Sequence, residues 1–114
     1  MSEGRLATSV LASGLMRTAQ AQGGFAAVLA KGDADAGAIL VILRDRDGNS
    51  RLMERILGSS GDYRWEEVAA GEGANSESID RFLSKRRRFD PDLWLIELTV
   101  ASTERFAAEM NDAV

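Results

Sequence analysis

The run Ala38-Ile39-Leu40-Val41-Ile42-Leu43 carries no polar position and is bounded by turn residues. A strand with one wet face would alternate, so this pattern predicts a central strand covered on both faces. The segment Leu93 to Val100 places Leu93 and Leu95 on one face and Trp94, Ile96 and Leu98 on the other. It too belongs inside a sheet, beside the Ile39 to Leu43 strand. The other strand signals are a short apolar run from Phe25 to Ala30, a segment from Arg51 to Leu57, and a half-exposed one in which Tyr63, Trp65 and Glu67 alternate with Arg64, Glu66 and Val68. Asp47-Gly48 is a hairpin signal, and Gly58 to Asp62 makes a second turn, so the middle strands form a meander.

Helical spacing precedes these strands, separates the last of them from the rest and follows it. Leu6, Val10, Leu11 and Leu15 recur at three and four residues and predict a helix from about Leu6 to Gln22, stopped by Gly23-Gly24. After a loop from Gly71 to Ser76, with Asn75 or Ser76 as cap, the stripe Ile79, Phe82 and Leu83 predicts a second helix. Lys85 to Arg88 put positive charge at its carboxyl end, where the helix dipole favours cations, and Pro91 disfavours helix at Asp90. Thr103 to Met110 can form and cap a short final helix. The predicted fold class is one α+β domain over residues 1–114: a mostly antiparallel sheet of four to five strands with two helices packed on one face.

Composition narrows the chemistry. The chain has 114 residues, no cysteine and no histidine. That excludes disulfides, thiolate nucleophiles, Ser-His-Asp arrangements and the usual zinc sites, and it leaves only carboxylate, lysine or tyrosine as acid or base. The prior for an enzyme falls accordingly. A formal net charge of −4 argues against a general nucleic-acid binder, and no apolar run is long enough to span a membrane. The amino-terminal Leu6 to Met16 segment reads as an amphipathic helix, because Thr8, Ser9, Ser13 and Gly14 interrupt the core that a signal peptide would need. A soluble, cytoplasmic protein without a cofactor is the expectation.

Four groups of residues could carry chemistry. Asp33 and Asp35 in one turn, with Asp90 and Asp92 in another, are candidate ligands for a hard divalent cation, although polar turns need no function to explain their aspartates. Arg86, Arg87 and Arg88 are candidates for binding phosphate or an acidic partner, and with Lys85 for nucleic acid. Glu97, set among Leu95, Ile96 and Leu98, is a candidate for a buried ion pair, with Arg86 or Arg87 as partner. Pro91-Asp92 followed by Glu97 has the look of a metal-dependent nuclease pair, but Thr99 stands where that chemistry uses lysine.

Gly32-Asp33-Ala34-Asp35-Ala36-Gly37 with its apolar strand, then Ile79-Asp80 through Arg87-Arg88-Phe89-Asp90-Pro91-Asp92-Leu93-Trp94 and Glu97, resembles the alphaproteobacterial family catalogued as domain of unknown function 1491. The resemblance covers roughly Leu6 to Thr99. It implies a short bacterial cytoplasmic protein and carries over no activity, cofactor or catalytic residue. The leading expectation is therefore a non-enzymatic protein-interaction domain that self-associates as a homodimer. A metal-dependent hydrolase or phosphate-ligand enzyme using Asp33, Asp35, Asp90 and Asp92 is the alternative, and nucleic-acid binding through Lys85 to Arg88 is a further one.

Overall fold

Strands that are apolar on both faces should sit inside the sheet, and alternating or short ones at its margins. The computed structural model describes residues 7–68 and 76–112. Its elements are α1 (Thr8–Ala21), β1 (Phe25–Ala30), β2 (Ile39–Arg44), β3 (Ser50–Leu57), β4 (Tyr63–Glu67), α2 (Ser76–Phe89), β5 (Trp94–Thr99) and α3 (Thr103–Asp112). The strands form one mixed sheet in the order β1-β5-β2-β3-β4. Three neighbouring pairs are antiparallel, while β2 and β5 run parallel with Leu40 opposite Leu95 and Ile42 opposite Glu97. The two doubly apolar strands thus lie side by side inside the sheet, as expected.

The helices depart from the expected layout. On one face Ile39, Val41, Leu43, Trp94, Ile96 and Leu98 pack under Ala12 and Ala19 of α1 and Phe106 and Met110 of α3. On the other, Leu40, Ile42, Leu52 and Leu95 meet Ile79 and Leu83 of α2. Three helices on two faces replace the predicted two on one. The cause lies in β2 and β5 themselves, since a strand with apolar residues on both sides needs cover on both. Burying Ile79 and Leu83 beneath α2 contributes about 1.5–3 kcal/mol each.

Helix ends are held by groups from elsewhere in the chain. α1 has no side-chain cap, because Ala7 precedes it; the Thr8 and Ser9 amides instead donate to the carbonyls of Asp35 (3.3 Å) and Ala34 (2.9 Å). Gly23, at φ +87°, supplies the left-handed residue that ends α1. α2 closes with the Asp90 amide donating to the Arg86 carbonyl at 2.9 Å, just before Pro91. Ser102, not Thr103, caps α3: its hydroxyl accepts from the Arg105 amide at 3.2 Å. The loop from Gly71 and the cap at Asn75 or Ser76 fall outside the described residues and side chains, as does Leu6.

The two edges of the sheet are treated differently. At β4 the Asn111 side chain of α3 acts as a substitute strand, its Oδ1 accepting from the Trp65 amide (2.8 Å) and its Nδ2 donating to the Trp65 carbonyl (2.9 Å). At β1, among the described residues, no hydrogen bond reaches the outer edge. That strand has no charged residue, and it leaves Phe25 70%, Val28 44% and Leu29 48% exposed.

Candidate functional site

The two acidic turns that stood apart in the sequence adjoin in space. The turn from Gly32 to Gly37 folds over the start of β5, so that the Asp33 amide donates to the Asp92 carbonyl at 3.0 Å and the Trp94 indole Nε1 donates to the Asp33 carbonyl at 2.7 Å. The Asp92 carbonyl oxygen is nested between two glycines. A side chain's first carbon at Gly32 would lie 2.0 Å from it, and one at Gly37 would lie 2.3 Å from it. The same turn offers the carbonyls that cap α1 on its other side, and Thr8 Oγ1 donates to the Gly37 carbonyl at 2.8 Å. One six-residue turn therefore fastens α1, β2 and β5 together.

The aspartates do not converge as ligands. Asp33 Oδ2 accepts from the amides of Asp35 (3.1 Å) and Ala36 (2.8 Å), stiffening its own turn. The Asp90 carboxylate lies 3.9 Å from Arg86, and Asp92 contributes its backbone carbonyl while its side chain is exposed. Among the described residues no group of three or more acidic side chains could hold a metal ion.

The arginines separate into two roles. Arg86 turns toward the sheet and donates to Glu54 of β3 at 2.6 Å, both side chains being half-buried. This hydrogen bond raises the Arg86 guanidinium above its ordinary value against the opposing effect of burial. Arg87 and Arg88 are exposed and make no ion pair among the described residues. With Ser84, Asp90 and Pro91 they line a cleft of about 380 Å³ that Ala30, the last residue of β1, and Lys31 after it also line. A helix dipole accounts for cations at the end of α2. It does not account for Lys31, which follows β1 and brings to the same cleft a third cation without an ion pair among the described residues.

Glu97 pairs with Arg44 of β2, not with the α2 arginines, and both side chains remain half-buried. The parallel register dictates this: Glu97 stands opposite Ile42, two residues from Arg44, on the face that α2 covers only in part. The Arg44 Nη1 also donates to Ser50 Oγ at 3.2 Å. Sequence reasoning passed over Arg44, Lys31 and Arg55. All three sit at strand ends or in alternating positions where a cation is ordinary, and only the register shows what they face.

Comparison with known proteins follows the same lines as the fold. A crystal structure of a DUF1491 family protein from Caulobacter crescentus CB15 is similar at 32% identity, with 89% of this chain and 94% of that chain covered and a TM-score of 0.80. The NMR structure of a DUF1491 family protein from the same organism gives 32% identity, 90% and 92% coverage and a TM-score of 0.78. A solution structure of a protein from A. tumefaciens gives 36% identity, 90% and 92% coverage and a TM-score of 0.76. No curated protein matches the chain. The doubly apolar strand pair and the glycine-bounded turn locked onto the Asp-Pro-Asp corner lie within residues 6–108, which match the family described as protein of unknown function (DUF1491), and the chain belongs to that family.

Proposed function

We propose that this protein is an interaction module that works as a homodimer, each copy adding its β1 edge to that of the other. The observation that carries this reading is the contrast between the two edges of the sheet. Asn111 satisfies the outward backbone groups of Trp65 at the middle of β4, whereas β1 presents an uncharged strand with Phe25, Val28 and Leu29 exposed. Proteins that keep an edge strand unpaired usually guard it with lysine, proline or a covering loop. Here the six residues Phe25 to Ala30 contain no charge and no proline, and the only guarding device among them is a shift of register against β5 between Val28 and Ala30. A second copy suits this edge because antiparallel self-pairing sets apolar residues against apolar residues without bringing a like charge opposite itself. We take the chain to work as one domain in the cytoplasm, whose reducing conditions suit a protein without cysteine.

Sedimentation over a range of concentrations tests this directly. The expected result is a monomer–dimer equilibrium in the micromolar range, weakened at least about tenfold by Val28→Lys, which sets two like charges near each other across the two-fold axis. A wild-type chain that stays monomeric at high micromolar concentration would remove the reading.

The cleft of Lys31, Arg87 and Arg88 favours a second function, recognition of a phosphate or an acidic group, because three cations without an ion pair among the described residues line it against the one carboxylate of Asp90. Titration with inorganic phosphate should shift the backbone amide resonances of Lys31 and Arg88 together, and Arg87→Gln should weaken binding about tenfold. Shifts spread evenly over every basic side chain of the protein would count against a site.

A further inference from the structure

Four arginines of the described residues are half-buried, and three of them have a carboxylate: Arg44 pairs with Glu97, Arg51 with Glu67 and Arg86 with Glu54. The fourth is Arg55 of β3, whose guanidinium lies 3.9 Å over the Tyr63 ring with no carboxylate paired to it among the described residues. Burial pulls this group below its ordinary value, the Tyr63 hydroxyl partly offsetting the effect, but a guanidinium stays charged at any pH at which the protein is folded. A partly desolvated cation without an anion is costly to keep, and it becomes favourable once an anionic group arrives to accept its hydrogen bonds.

Arg55 lies in a cavity. On the α1 face of the sheet, between the first turn of α1 and the β3–β4 hairpin, a pocket of about 350 Å³ is lined by Leu11, Ala38 and Ile39 together with Arg55, Tyr63 and the exposed Asp35. The backbone of Asp35 is pinned, since its amide donates to Asp33 Oδ2 at 3.1 Å and its carbonyl accepts from the Thr8 amide at 3.3 Å. Its carboxylate pairs with no cation among the described residues, Arg55 included, so no salt bridge joins the two charges. The volume falls at the small end of the roughly 300–1,000 Å³ typical of ligand pockets, which suits a small metabolite and not a nucleotide. An apolar wall lies beside the two charges.

A cation and an anion that line one pocket without pairing, with apolar surface beside them, match a ligand that carries both charges itself. We propose that this pocket binds a free α-amino acid with an apolar side chain, its carboxylate on Arg55, its ammonium group on Asp35 and its side chain along Leu11 and Ile39. The pocket does not involve the β1 edge or the basic cleft, so its fate is independent of theirs.

Titration of the full chain with L-leucine, followed by backbone amide resonances and calorimetry, tests the assignment. N-acetyl-leucine lacks the cation and leucinamide lacks the carboxylate, so each should bind at least about tenfold more weakly than leucine, the loss of one charge-assisted contact. Arg55→Gln and Asp35→Asn should each weaken leucine by a similar factor, and the resonances of Thr8, Gly37 and Tyr63 should move on binding to the wild type. Because Asp35 anchors its turn through backbone groups, Asp35→Asn keeps the fold and isolates the charge. No response to L-leucine, L-valine, L-methionine or L-phenylalanine at about 10 mM overturns the proposal. So does N-acetyl-leucine binding as tightly as leucine, which would make the site a simple carboxylate site.

Discussion

Alanine at Gly32 or Gly37 should lower the thermal midpoint by about 12 °C, the shift that corresponds to roughly 3 kcal/mol in a domain of this size. The added carbon at Gly32 would stand 2.0 Å from the Asp92 carbonyl oxygen, and the one at Gly37 would stand 2.3 Å from the same atom. Both overlaps are with backbone, which has no rotamer to retreat into. Relief requires the Asp92 peptide to move, and that peptide accepts the Asp33 amide at 3.0 Å and leads directly into the buried strand β5. The damage would spread to α1, whose first amides depend on the Ala34 and Asp35 carbonyls of the same turn. Asp33→Ala provides the contrast. It removes two exposed hydrogen bonds within the turn and should cost only about 1 kcal/mol. Denaturant titration of the three variants ranks them, and a Gly37→Ala chain as stable as wild type would show that the turn does not fasten the fold. The same ranking separates a structural turn from a ligand-binding one, in which Asp33→Ala would abolish binding and leave stability almost untouched.

The sequence made the interior of the sheet legible because its information is local. A short apolar run bounded by turn residues reads as a covered strand, and both such runs lie at the centre of the sheet, Val41 and Ile96 with no exposed surface. The helix layout was legible in principle: Leu40, Ile42 and Leu95 point away from Val41 and Ile96, and something had to cover them. Placing both helices on one face left those residues bare, and α2 is what covers them. The partners of polar residues were not legible. Glu97 meets Arg44 because β2 and β5 are parallel and in a particular register, and neither condition leaves a mark within either segment. The acidic turns drew notice for their carboxylates, yet what they contribute is mostly backbone: carbonyls, amides and two positions without side chains. Arg55 had no distinguishing neighbour in sequence. Only a comparison of all the half-buried arginines singles it out.

Asn111→Ala should cost about 2 kcal/mol and, more tellingly, change how the protein associates. The side chain satisfies both backbone groups of Trp65 on the outer edge of β4, at 2.8 Å and 2.9 Å, and no shorter or apolar residue can do so. Removing it leaves the Trp65 amide and carbonyl facing outward beside a buried indole, an edge ready to accept another strand. A molecule with one open edge pairs through β1 and closes as a two-fold dimer, because each copy then has nothing left to offer. With two open edges each copy can pair at both ends, and association no longer closes. Wild type should therefore reach a plateau at dimer as concentration rises, while Asn111→Ala should continue to larger species and scatter light on gentle warming. Val28→Lys placed in the same chain should cut that growth back by blocking one of the two edges. If Asn111→Ala merely unfolds at lower temperature and otherwise sediments as wild type does, the asymmetry of the two edges has no bearing on assembly, and the case for a β1-mediated dimer loses its main support.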